Sequence, residues 1–221
     1  MKAWIITACC LVAFSFAGAT ATELRVGATG ACAFPQGEMV LGGDKYYGEA
    51  GLILGAGPGG GVRTWIRPWR FFEVEIGADY VKLPGDISPA EGTVIPIRGG
   101  VNLVADQGRY AISCGGGAGY YVFKATAYGT ILYQIDEETT EWRSTWGKVS
   151  LTGPGIYYGF AASVRFGRWS LDFTPRWNQI FNQGPHDGEA IGEYDGHKLY
   201  FDLPYNCTYA EAALGVSYRV F

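Results

Sequence analysis

The sequence predicts an all-β fold, a closed up-and-down barrel of eight antiparallel strands. Three observations carry that prediction. Apolar and polar residues alternate along a series of segments, the connections between segments are alternately short and long, and the glycines (34 of 221 residues) fall into rows of one parity. Strict alternation marks a strand with two unlike faces, and turn residues recurring between such strands mark a meander.

The first segment, 23–34, alternates weakly. The second, 50–66, holds a glycine row. Gly51, Gly55, Gly57, Gly59 and Gly61 share one parity with Arg63, and Leu52, Leu54, Ala56, Val62 and Ile66 take the other. Within it, Gly55-x-Gly57-x-x-Gly60 matches the dinucleotide-binding fingerprint letter for letter. That fingerprint has meaning only where a helix opens at its end, and nothing after Gly60 has helical period. The row suits instead the inward face of a narrow barrel, where large side chains from across the lumen need room. Pro58 removes one ladder hydrogen bond and predicts a bulge or bend.

The third segment, 70–81, is the clearest, with Phe72, Val74, Ile76, Ala78 and Tyr80 on one face and Phe71, Glu73, Glu75, Gly77 and Asp79 on the other. The fourth and fifth, 94–105 and 109–124, alternate less sharply, and the fifth carries a second glycine cluster, CGGGAG at 114–119. In the sixth, 156–166, Ile156, Tyr158, Phe160, Ala162, Val164 and Phe166 oppose Gly159, Ser163 and Arg165. The seventh, 169–181, sets Trp169, Leu171, Phe173 and Trp177 against Ser170, Asp172, Thr174, Arg176 and Asn178. The eighth, 209–220, sets Ala212, Leu214, Val216, Tyr218 and Val220 against Glu211, Gly215, Ser217 and Arg219. Each segment has roughly the 9 to 11 residues or more that a tilted membrane strand needs.

Short connections are predicted at 67–69, 106–108 and 167–168, and long ones at 35–49, 83–93, 129–155 and 182–206. Short turns on one rim, long loops on the other and an even strand number are the plan of an outer-membrane barrel, with short periplasmic turns and four long extracellular loops. A soluble eight-stranded barrel of lipocalin type would share the alternation with its apolar face inward. Three features favour the transmembrane form. Beyond the leader, lysine occurs only at Lys45, Lys82, Lys124, Lys148 and Lys198, in loops or at strand ends, where a soluble barrel would spread it over its outside. Glycine in rows weakens an exposed strand. Aromatics gather in two belts, Trp65, Trp69, Tyr110, Phe166 and Trp169 near the short turns, and Tyr80, Tyr120, Tyr158, Trp177 and Phe181 towards the long loops, as membrane interfaces select.

Export fits this reading. Lys2, an apolar run from Ala3 to Ala17 and Ala19-Thr20-Ala21 form a signal-peptide pattern, so residues 1–21 are expected to be cleaved and 22–221 to form the barrel domain. Lipidation at Cys9 is the weaker alternative, because almost no apolar segment precedes it. Cys32, Cys114 and Cys207 are too few and too scattered for a disulfide framework or a zinc site. Cys32 and Cys207 differ in parity and are not expected to pair, and Cys114 reads as a lipid-facing residue. A net charge of −4 argues against nucleic acid as a partner.

The C-terminal stretch ALGVSYRVF carries a further signal. Over nearly its whole mature length the chain resembles the small eight-stranded outer-membrane proteins, the OmpA-, OmpX- and OmpW-like barrels. Gly215, Tyr218 and Val220, followed by the terminal Phe221, look like the signal by which such chains are recognised. The resemblance implies the barrel-assembly machinery and outer-membrane lipid as partners.

On this register the lumen holds Arg25, Arg63, Arg98, Arg165, Arg176 and Arg219 against Glu73, Glu75, Asp79, Asp172 and Glu211. The near-balance predicts a self-neutralising structural network, since an unpaired charge in a water-poor interior costs several kcal/mol. A narrow conduit for small hydrophobic molecules is the alternative. His186 and His197, with Asp187, Glu189, Glu193 and Asp195, stand in the last long loop without an adjacent serine, and they are read as a solvated run. No catalytic residue, cofactor or metal is expected. Candidate contact residues are Tyr46 and Tyr47 in the first loop, Tyr133, Trp142 and Trp146 in a hairpin around residues 137–140, and Tyr194 in the last loop. Aromatics on loops held by a rigid scaffold favour contact with host surface or matrix components, or with a small hydrophobic ligand.

Overall fold

The computed structural model describes residues 23–36, 54–85, 91–134, 140–181, 190–194, 197–200 and 206–221. The strands are β1 (Glu23–Gln36), β2 (Gly57–Trp69), β3 (Phe72–Pro84), β4 (Glu91–Gln107) and β5 (Tyr110–Gln134). They continue as β6 (Thr140–Phe166), β7 (Trp169–Phe181), β8 (Ala190–Tyr194), β9 (His197–Tyr200) and β10 (Asn206–Arg219). Each barrel strand pairs antiparallel with its sequence neighbour, and β1 closes the cylinder against β10, from Arg25 opposite Arg219 to Gln36 opposite Thr208. Among the described residues, eight strands form the wall, while β8 and β9 make a hairpin within the last long connection that meets β5 at Thr130 and Tyr200.

The exterior wall is oily. Val62, Val101, Leu103, Ile112, Phe160, Leu171, Leu214 and Val216 are all exposed along successive strands. So continuous an apolar surface is not tolerated in water and belongs against acyl chains. Trp69, Tyr110, Phe166 and Trp169 ring one rim, and Tyr80, Tyr120 and Tyr158 mark the other. Trp65 does not belong to the first ring. It is buried in the lumen, where the Arg25 guanidinium lies 5.0 Å from its ring centre. Its parity with Arg63 overrides its interfacial preference.

Two short turns fall as expected and one is displaced. Gly108 and Gly167 have φ of +75° and +66°, the left-handed conformation that tight hairpin turns require and glycine adopts freely. Between β2 and β3, however, the strand runs through Pro68 to Trp69, and the turn is Arg70-Phe71. A bulge between the pairs Ile66–Val74 and Trp69–Phe72 absorbs Pro68. The irregularity expected at Pro58 is also present. From Leu54–Gly85 to Gly59–Val81, the β2 side uses one residue more than its partner. This reverses parity, so Leu54, expected on the lipid face, is buried against Gly92 and Phe123.

Inward glycines make room chiefly for side chains of the adjacent strand rather than from across the barrel. A Cβ on Gly77 would lie 3.0 Å from Arg63 Cγ, one on Gly119 2.9 Å from Arg98 Cγ, and one on Gly159 3.0 Å from Arg176 Cγ. Each of these arginines therefore lies flat across a neighbouring glycine. Cys114 and Cys32 are exposed on the lipid face, and Cys32 stands opposite Ala212. Cys207 lies five positions from Ala212, roughly 16 Å along the strand, so the register forbids a bridge to Cys32.

Candidate functional site

The lumen is built in tiers. At the short-turn mouth, Arg25 Nη2 donates to Glu73 (2.7 Å) and its Nη1 to Asp172 (3.3 Å), while its Nε lies 3.1 Å from Glu23. Arg67 and Arg165 both donate to Asp106 at 2.6 Å. Ser163 and Ser217 donate to the two oxygens of Asp172, each at 2.6 Å, which occupies that carboxylate. The next tier is enclosed. Arg63 bonds Glu211 (2.7 Å) and Asp79 (3.4 Å), Arg98 bonds Glu211 (3.0 Å), Asn178 (2.6 Å) and Asp79, and Arg176 bonds Glu75. These contacts tie β2, β3, β4, β7 and β10 together across the axis. The guanidinium groups of Arg98 and Arg176 also lie 5.4 and 5.2 Å from the Tyr157 ring.

Ten of the eleven charges expected in the lumen are there. Arg219 is the exception. It is the last residue of β10, half-exposed at the rim, and donates to the Gly167 carbonyl at 3.4 Å. Glu23, Arg67 and Asp106 join the network in its place. Each continues the inward parity of its strand, but each falls at a strand end, where turn signals in the sequence mask the alternation.

Above the ions comes a tyrosine tier, in which the Tyr121 hydroxyl donates to Asn178 at 3.2 Å and Tyr157 and Tyr209 are buried. Towards the long loops the lumen turns apolar. Ala33, Val81, Leu83, Val94, Phe123, Ala125 and Ile180 are buried, with Leu54 among them. The expected charge network therefore fills only part of the lumen. The signal was present, since Val81 and Leu83 continue the parity of Asp79. A cavity of about 20 Å³ lies within the ionic tier, lined by Arg25, Glu73, Glu75, Tyr157, Asp172 and Arg176 among others. That is room for about one water.

At the opposite end, β5 and β6 stay paired from the barrel body to Gln134 opposite Thr140, a hairpin that rises beyond the last β4–β5 pair, Glu91–Thr126. Trp142 stands opposite Leu132 and Trp146 opposite Tyr128 on one parity, while Tyr133 falls on the other, opposite Glu141. The side chains of Tyr133, Trp142, Trp146 and Tyr194, and those of Cys207 and His197, lie outside the described set. Residues 1–22, Tyr46, Tyr47 and His186 lie outside the described residues altogether. Among the described residues, no cluster of His, Cys, Asp and Glu is arranged to hold a metal ion. At the C-terminus, Tyr218 and Val220 follow the lipid-facing parity, with Tyr218 edge-on to Trp169 at 5.0 Å. Gly215 faces inward against Thr29, and Phe221 is exposed at the rim.

The wall and its filling are those of a transmembrane barrel. Such closed antiparallel barrels cross the outer membrane by their strands, and this chain does so. A solved structure shares the fold. A major outer membrane protein from Thermus thermophilus is 12% identical, with a TM-score of 0.50 over 89% of this chain and 98% of that one. Neisserial surface protein A is 16% identical (TM-score 0.45, 88% and 96% covered), and Ail, the attachment invasion locus protein of Yersinia pestis, is 11% identical (0.45, 89% and 96%). No protein-family model and no curated protein sequence matches the chain.

Proposed function

We propose that this chain is a non-catalytic outer-membrane barrel that holds surface loops, the β5–β6 hairpin foremost, for contact with components outside the cell. The observation that carries the reading is the pairing of β5 with β6 out to Gln134 and Thr140, over a lumen closed by ion pairs below and by apolar side chains above. A sealed, cross-braced cylinder is a poor conduit and a good pedestal. The ion pairs act here as structure, and Gly215, Tyr218, Val220 and Phe221 serve assembly. Outer-membrane lipid and the assembly machinery are constitutive partners, and the loop partner is a host surface or matrix component or a small hydrophobic ligand.

In the lumen the hydroxyls of Ser163 and Ser217 are committed to Asp172. The test has two arms. Replacing residues 128–146 with an Asn-Gly turn leaves a heat-modifiable, folded barrel and abolishes attachment of expressing cells to host cells or matrix. The intact protein passes no step-like current in planar bilayers. Discrete conductance would overturn the pedestal in favour of a conduit, and undiminished attachment would remove the hairpin from the contact.

A further inference from the structure

Every lysine whose side chain is described stands in one patch. Lys82 on β3, Lys124 on β5 and Lys148 on β6 are exposed on the barrel's outer wall at the long-loop rim. The register aligns them in two rows across four strands, Lys82–Thr93–Lys124–Ser150 and Pro84–Glu91–Thr126–Lys148. A recess of about 420 Å³ opens there, lined by Glu91, Thr93, Lys124, Thr126, Lys148 and Ser150, with Ala125 at its back. The arginines with described side chains are elsewhere, in the lumen or at the short-turn rim.

The charges in the patch are not equivalent. Lys82 lies 3.2 Å from Glu91, so that pair is neutral. Lys124 and Lys148 have no ion-pair partner among the described residues. They are diagonal neighbours on adjacent strands, roughly 7–8 Å apart, a spacing from which two flexible ammonium groups converge on one anion. Thr126 and Ser150 place hydroxyl donors between them. Below, on the same lipid-facing parity, come Val122 and Tyr120 on β5, Ile95 and Ile97 on β4, and, past Thr152 and Pro154, Ile156 and Tyr158 on β6. A cationic recess just beyond an aromatic belt, above an apolar wall, sits at headgroup depth.

We propose that this recess is a binding site for the phosphate of a lipid headgroup in the outward leaflet, with Lys124 and Lys148 on the phosphate and the acyl chains along the wall beneath. It rests on the lipid-facing orientation of the wall and on the outward facing of the long-loop rim; the role given to the hairpin plays no part. The test is native mass spectrometry of the refolded barrel in detergent micelles with dioleoyl phosphatidic acid or dioleoylglycerol, with and without millimolar inorganic phosphate. Phosphatidic acid is retained and dioleoylglycerol is not. K124Q/K148Q, still heat-modifiable on gels, lowers affinity roughly 25-fold, about five-fold per lysine at an anionic lipid surface. K82Q/E91Q, which removes the neutral pair together and leaves the net charge of the patch as it was, changes it less than about two-fold. Equal retention of dioleoylglycerol, or unchanged retention by the folded double variant, overturns the site. Full displacement by inorganic phosphate makes it a site for free phosphate and overturns the lipid assignment.

Discussion

Arg63 has no route to water. Its side chain is fully enclosed, and Glu211 and Asp79, which it bonds, are enclosed with it. Removing one partner of such a group strands the other charges, at about 3–5 kcal/mol, although the intact pair itself contributes little net stability. Arg63→Ala is therefore expected to lower unfolding stability in phospholipid vesicles by about that amount, read from the urea midpoint. Arg219→Ala, at the rim, should shift it by less than about 0.5 kcal/mol. Equal shifts would refute the distinction between lumen and rim. At this scale the sequence is legible wherever parity is followed without exception. It misleads where a residue-type preference displaces parity. Tryptophan's preference for interfaces points Trp65 to a belt, and the proline after Arg67 points that arginine to a turn. A strand's pleat decides direction for every side chain, whereas a composition rule holds only on average.

Glycine governs packing at the scale of the element. Gly119 on β5 leaves space for Arg98 Cγ, and a Cβ there would also stand 2.7 Å from the Ile97 carbonyl oxygen. Gly119→Val should block refolding or leave a species without heat-modifiable migration. Gly30→Ala, where a Cβ meets nothing within 4 Å, should refold like the parent. Loss of folding in both, or in neither, would count against the packing account. The glycine rows mark the inward face correctly, but the identity of their neighbours depends on strand stagger, which alternation does not encode. The bulges at Pro58 and Pro68 belong to the same class. Proline signals that a ladder is interrupted, not how the chain recovers, and so the reversal that buries Leu54 is not readable in advance. The β8–β9 hairpin leaves no mark in the sequence because its strands span only Ala190–Tyr194 and His197–Tyr200, too short for period two to stand out.

For the molecule as a whole, the governing quantity is which side of the wall meets oil. Spin labels at Leu103 and Ile112 in the reconstituted barrel are expected to be quenched by oxygen and shielded from nickel chelates, as lipid contact requires. Labels at Ser163 or Thr174, in the lumen, should be reached poorly by either reagent, because the cavity there holds about one water. Ready quenching of the lumen positions by the nickel chelate would mean an open aqueous channel, and shielding of Leu103 from oxygen would mean the wall faces something other than lipid.

Alternation, turn spacing and the scarcity of lysine were enough to settle the barrel, its strand number, its oily exterior and ten of the eleven lumen charges. Those properties follow from local geometry, since a strand presents its residues to two sides and the solvent on each side selects them. The partner of each arginine, the apolar tier that closes the lumen, and the gathering of Lys82, Lys124 and Lys148 into one patch were decided by the closed sheet. Closure brings residues more than a hundred positions apart within hydrogen-bond distance. How strands slide past one another in closing is a collective property of the sheet, invisible in any single segment.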